Sequence, residues 1–201
     1  MLPCRDAHVI GGIWNTTQNS NQIVQSDWAV DCTFEDAVCY RGSRAGQTVR
    51  WRNSLRCKAK TVKTVNDVSL AWDYNTMHGT LNRYMTVGTQ DCVFEDCEDH
   101  YGAQSFDPTY GSGALHVNIN TVIKDCRTYN SFEQAVTTHP ATYNCWIEKT
   151  HGINCYRAGL VLRGLKYLTS ATEDVVDDSG YRSRGIEAYE GGCRGLTVEG
   201  Q

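Results

Sequence analysis

VDCTFEDAVCYRG, from Val30 to Gly42, and QDCVFEDCEDHYG, from Gln90 to Gly102, are two versions of one phrase. Asp31, Cys32, Phe34, Glu35 and Asp36 return as Asp91, Cys92, Phe94, Glu95 and Asp96, at an offset of 60 residues. That offset is too long for one turn of a stacked strand repeat and suits three turns of roughly 20 residues each. Looser echoes fill the rest: VIKDCRTYN from Val122, ATYNCWIEKTHG from Ala141, GLVLRG from Gly159 and GCRGLTVEG from Gly192. Each is a short alternating run with Gly, Asn, Asp or Cys near its edge. Weak, variable periodicity of this kind is the mark of a solenoid.

Working outward, strand-like runs fall at His8–Trp14, Trp28–Phe34, Thr48–Arg52, Arg83–Val87, Asp91–Phe94, Ala114–Ile119, Thr121–Ile123, Tyr143–Ile147, Gly159–Leu162, Gly185–Ala188 and Leu196–Val198. They alternate or are rich in Val, Ile, Thr and aromatic residues, and all are short. The best helical candidate, Thr61–Trp72, places Val62, Val65 and Val68 on one side but includes Asn66 and Asp67, so βαβ units are excluded. Asn-Gly and Asp-Gly, the strongest hairpin signals, never occur, which argues against a β-sandwich.

The expected fold is all-β, a right-handed single-stranded parallel β-helix of about eight rungs, each roughly 20–25 residues, with strands stacked about 4.8 Å apart. Val136, Val161 and Ile186, spaced 25 and 25, set one rhythm. Val, Ile, Leu, Cys and Phe are expected inside, Asp, Glu, Lys, Thr and Tyr outside, and Asn and Gly at the corners. The strand pattern begins at His8, and LTVEGQ stops straight after the strand Leu196–Val198. Residues 1–201 are therefore expected to be one β-helix segment of a longer coil, or a coil whose ends other chains shield.

Composition narrows the function classes. Hydrophobic residues are 40%, charged residues 21%, and the formal charge of −4 argues against nucleic acid as the main partner. The basic run RWRNSLRCKAK, from Arg50 to Lys60, is the exception and reads as a solvated loop or strand face. No apolar stretch is long enough for a membrane span. The 10 cysteines lie within the alternating runs, and MLPCRDAHVIGG has no apolar signal-peptide region, so reduced, buried thiols are expected. Cys92 and Cys97 have no second pair at ligand spacing, so no metal site is expected, and no cofactor.

The organisation resembles the pectin-lyase-like β-helix superfamily and, within it, the tailspike and appendage proteins of tailed bacteriophages and their prophage relatives. The phrases that carry the likeness are HVIGGIWN, CVFEDCEDHYG, HVNINTVIKDCRTYNSFEQAVTTHPATYNCWIEKTHG and GIEAYEGGCRGLTVEG, spread from Ala7 to Gly200. The resemblance implies a homotrimer on a virion tail or otherwise extracellular, binding and often cleaving a bacterial surface polysaccharide or teichoic acid. The catalytic motifs of pectate lyases and the paired-Asp phrases of polygalacturonases are absent, so a glycoside hydrolase or polysaccharide lyase activity stays open. A non-catalytic shaft or assembly module of a virion appendage is one alternative. A polysaccharide lyase or hydrolase of bacterial or fungal origin is another.

Neighbouring rungs offer carboxylates at about 5 Å, the retaining-glycosidase distance, or about 6.5–9.5 Å, the inverting one. The candidate catalytic residues are Glu95, Asp99 and Glu133. The competing interpretation of Glu95, Glu98 and Asp99 is a solvated acidic bend, since Glu35 and Asp36 occupy the same places in the earlier phrase. FEQAVTTHP puts Glu133 and His139 on either side of a short strand, and Pro140 holds His139 extended. His139 and His116 are candidate substrate ligands or proton carriers. Asp107 and Tyr110, in a glycine-rich stretch from Ser105 to Ala114 that reads as a loop leaving the coil, join Tyr101 and Trp146 as candidate substrate-binding residues.

Overall fold

The computed structural model describes residues 3–16, 23–41, 48–66, 82–102, 104–109, 117–139, 142–155, 158–162, 184–188 and 197–199. Every strand pairing is parallel, and no helix occurs among the described residues. The chain is a β-solenoid. An eleven-stranded sheet forms one wall, a seven-stranded sheet forms another, and two short two-stranded sheets line a corner between them.

His8 pairs with Thr33, Thr33 with Lys58, Lys58 with Val93, Val93 with Val122 and Val122 with Trp146, in steps of 25, 25, 35, 29 and 24 residues. The five steps join six rungs, and Thr197–Glu199 adds a seventh among the described residues, where about eight were expected. The 60-residue echo is two turns, one of 25 and one of 35, not three. The extra length of the 35-residue turn lies between Asn66 and Asn82, outside the described residues. The spacing of Val136, Val161 and Ile186 also shifts: Val136 pairs with Leu160 and Leu160 with Ile186. Six coils can be named: residues 4–27, 29–52, 55–87, 90–109, 118–137 and 142–162. Beyond them, Arg184–Ala188 stacks on Ala158–Leu162, and Thr197–Glu199 stacks on Trp146–Glu148.

The recurrent phrase is explained by backbone conformation. Asp6, Asp31, Arg56, Asp91, Asn120 and Asn144 form one row of left-handed residues, with φ between 51 and 57°. Asp36, Thr61, Asp96, Asp125 and Lys149 form a second, five residues further along each coil, with φ between 46 and 53°. The left-handed corners are thus mainly Asp and Asn, whose short polar side chains tolerate that region. After each corner the chain runs extended and side chains alternate. In coil 4, Cys92, Phe94, Cys97 and Asp99 are buried, while Val93, Glu95, Glu98 and His100 are half-buried on the outer side.

Inside, Phe34, Phe94, Ile123 and Ile147 lie on one row. Tyr84 stacks on Phe106 at 4.7 Å and meets Phe94 edge-on at 5.5 Å. Its hydroxyl donates to the Val62 carbonyl at 2.6 Å, so a large ring is buried with its polar end satisfied. The interior is not purely apolar, contrary to the expectation that Asp and Thr face outward: Thr64, Asp99 and Thr128 form a buried polar row. The nine described cysteines make no disulfide, and eight are buried.

Two segments differ from expectation. Lys58–Asn66 is a strand, where Thr61–Trp72 was the best helical candidate; residues 67–72 lie outside the described set. Gln104–Thr109 is a strand rather than the start of a loop. Its Pro108 lacks an N–H, but its carbonyl accepts from the His139 amide at 3.0 Å and from Thr142 Oγ1 at 3.2 Å. The basic run is a strand and corner whose outer side chains stay partly exposed, as expected, and also pair with acids of the neighbouring coils. Arg52 pairs with Asp27 at 2.6 Å and Arg56 with Asp31 at 2.6 Å, and Lys58 forms a close ion pair with Glu95; just beyond the run, Lys63 lies 3.5 Å from Glu98.

Candidate functional site

The carboxylates singled out in the acidic phrase go to different faces. Glu95 lies on the outer row Glu35, Lys60, Glu95, Lys124, Glu148, which alternates in sign from coil to coil. The Lys58 hydrogen bond, opposed by partial burial and helped by the charges of Lys58, Lys60 and Lys124, holds the Glu95 carboxyl below its ordinary range. An ionised, paired carboxylate suits a charge partner or a base and not a proton donor. Glu98 is on the adjoining row, in reach of Lys63 at 3.5 Å, His100 at 3.3 Å and Arg127 at 3.8 Å.

Asp99 points inward and is fully buried. It accepts a short hydrogen bond from Thr64 Oγ1. A Cβ on Gly102 would stand 1.9 Å from Asp99 Oδ2, so the absence of a side chain at Gly102 makes room for the carboxylate. Glu95 and Asp99 therefore lie on opposite sides of one wall and do not face each other across a rung. Glu133 is on neither of these rows. It is 4% exposed in the bend that leads into Gln134–Thr137 on the other wall.

Two residues singled out separately do come together. His139 Nε2 lies 3.3 Å from Asp107 Oδ1. The Asp107 side chain has no exposed surface and the imidazole keeps 14%. Coil stacking builds the pair. Asp107 is held in Gln104–Thr109, and the strand Gln134–Thr137 lies directly on it, Phe106 opposite Val136. The chain then runs two residues further, where the His139 amide donates to Pro108 O. Glu133 and His139 do flank a short strand. Residues of both parities in Gln104–Pro108 and Gln134–Thr137 are buried, so this part of the seven-stranded wall is covered on both faces. The buried carboxylate beside Nε2 orients the ring.

A residue not anticipated from sequence joins this row. Arg50 pairs with Met85, and Met85 with Asp107, so the backbones of Arg50 and Asp107 stand two rungs, about 10 Å, apart on one row. Burial, then the neighbouring Arg52 charge, pushes the Arg50 guanidinium pKa down, with Asp27 opposing. The signal for it was the basic run itself, whose row assignment needed the register. Tyr101 occupies a left-handed corner at φ 62°, and its carbonyl accepts from Asn66 Nδ2 at 3.2 Å. Trp146 is 46% exposed on the outer row above Val122. His116 and Tyr110 lie outside the described residues. Among the described residues no group of three or more His, Cys, Asp or Glu is placed to hold a metal ion, and no helix is long and apolar enough to cross a membrane.

The chain matches no protein-family model, no curated protein and no solved structure.

Proposed function

We propose that this chain is a glycan-binding module of a bacteriophage tailspike or appendage, built on a right-handed, pectin-lyase-like β-helix. Residues 1–201 form one segment of a longer coil. It works as a homotrimer on the virion and binds a bacterial surface polysaccharide or teichoic acid. The observation that carries this reading is the Asp107–His139 pair, a buried carboxylate against a partly exposed imidazole on a β-solenoid wall. Such a pair holds an oriented, partly exposed imidazole where a sugar hydroxyl can meet it. Tyr101 and Trp146 supply ring faces, with His116 and Tyr110 as further ligands. For cleavage, Glu133 beside the His139 strand is the proposed carboxyl, with Glu95 and Asp99 as the other two catalytic candidates.

The test is binding and turnover on panels of capsular polysaccharide and teichoic acid. His139→Ala should weaken binding at least tenfold, about 1.4 kcal/mol, with an unchanged thermal melt. Binding indifferent to His139→Ala, Asp107→Asn and Trp146→Ala would refute the site. Cleavage surviving alanine at Glu95, Asp99 and Glu133 together would remove the catalytic assignment. A second reading, a non-catalytic shaft, is favoured by one observation: the charge-alternating rows commit Glu95 and Glu98 to joining coils. A wild-type protein that trimerises yet binds no glycan would select it.

A further inference from the structure

The residue after each corner of the first row points inward, and in coils 2, 3 and 4 it is a cysteine. The Lys58 amide donates to Cys32 O at 3.0 Å and the Val93 amide to Cys57 O at 2.9 Å, so Cys32, Cys57 and Cys92 sit directly above one another. Their exposures are 5%, 0% and 0%. The thiols of this stack donate to backbone carbonyls, Cys57 to Leu55 O at 3.5 Å and Cys92 to Gln90 O at 3.7 Å and Ser54 O at 3.8 Å. Cys4 belongs to coil 1, where Cys4–Arg5 pairs with Ala29–Val30, and Cys32 Sγ lies 3.8 Å from Cys4 O. Cys4 is exposed. Cys4 thus lies beside Cys32 at the exposed end of a buried cysteine stack. Cys97 and Cys126 also stack, on the second row, but both are fully buried. Burial pushes the thiols of Cys39 and Cys155 up to about 12 and about 11 and raises that of Cys32 as well, so the exposed Cys4 is the thiol that an external disulfide meets first.

We propose that Cys4 and Cys32 are a thiol–disulfide exchange site, at which a small-molecule disulfide reacts with Cys4 and Cys32 resolves the product. The Cys4 thiolate attacks one sulfur of the external disulfide, whose S–S bond breaks and releases one thiol. The Cys32 thiolate then attacks Cys4 Sγ, the mixed disulfide breaks, and the second small thiol leaves. Two protein thiols are oxidised, one external disulfide is reduced to two thiols, and the two protein protons end on the leaving thiols. The bond closes a separation of 28 residues and staples coil 1 to coil 2. Among the described residues the strands of coil 1 pair on one side only, and Val9, Ile10 and Ile13 are 41%, 70% and 72% exposed.

The test is exposure of the native protein to oxidised glutathione, followed by alkylation and peptide mapping. The expected product is a Cys4–Cys32 disulfide, with two thiols lost and a higher melting temperature that dithiothreitol reverses. Cys4→Ser, a surface change, should keep every remaining thiol. Cys32→Ser should stop at glutathione on Cys4. Wild-type protein that also stops at glutathionylated Cys4, or Cys4→Ser protein that loses thiols as fast as wild type, would overturn the proposal.

Discussion

Gly102→Ala tests how the interior of coil 4 is built. Gly102 is not among the residues with positive φ, so backbone strain is not the issue. Taken alone, the change should stabilise the fold by about 0.4–1 kcal/mol through the unfolded chain. The added Cβ, however, falls 1.9 Å from Asp99 Oδ2 and 3.0 Å from both Asp99 Cγ and Ser105 Oγ. The carboxylate must retreat by roughly 1.5 Å to reach ordinary contact. It has little room to do so, being fully buried and tied to Thr64 Oγ1. Overpacking costs about 1–3 kcal/mol and disturbing a buried polar contact about 1–3 kcal/mol, so a net loss of about 2–4 kcal/mol is expected. Thr64 keeps a second acceptor, Glu98 O at 3.2 Å, so removing the carboxylate does not strand the hydroxyl. Asp99→Ala in the Gly102→Ala background should therefore recover at least about 1 kcal/mol relative to additivity. Urea denaturation of the two single variants and the double variant measures this cycle. A Gly102→Ala protein as stable as wild type, or a strictly additive cycle, would refute this account of the interior.

Two further outcomes follow from the corners and the charged rows. The Arg56 hydrogen bond holds the Asp31 carboxyl below its ordinary range, and the Lys58 hydrogen bond does the same for Glu95. At Asp27 burial pushes upward, but Arg52 and Gln25 together outweigh it. Folded values below the unfolded ones mean that this stabilisation is present above about pH 4 and lost as pH falls through the folded values. The melting temperature should drop between about pH 5 and about pH 3, and less so in high salt. A flat profile would mean that these pairs contribute nothing. Thr61, a β-branched residue at φ 51°, should accept Asn with a gain of about 0.5–1 kcal/mol, read as a higher urea midpoint; a loss would show that its side chain outweighs the backbone strain.

Much of the fold was legible because a parallel solenoid writes its cross-section into the chain at every turn. Asp31, Cys32, Phe34 and Asp36 repeat at Asp91, Cys92, Phe94 and Asp96 since a left-handed corner, a small inward residue and a large inward ring are needed again at the same places. The strands that escaped notice, such as Glu98–His100 and Arg127–Tyr129, carry Asp99 or Thr128 where an apolar inward residue would give alternation. The number of turns within the echo was misread because one coil holds about ten residues more than its neighbours, and a fixed offset cannot tell two unequal turns from three equal ones.

The candidate site divides the same way. Sequence alone determined the residue types, the flanking of a short strand by Glu133 and His139, and the alternation that sends Glu95 outward. It did not determine partners. Asp107 and His139 are 32 residues apart and meet because one coil lies on the next. Lys58 and Glu95 are 37 apart and pair for the same reason. Which residue stands above which depends on the length of each step, and those lengths run from 22 residues between Tyr84 and Phe106 to 51 between Trp146 and Thr197. Only the hydrogen-bonded register of the folded stack fixes them, because contacts between coils are non-local and the chain's local preferences are silent about them.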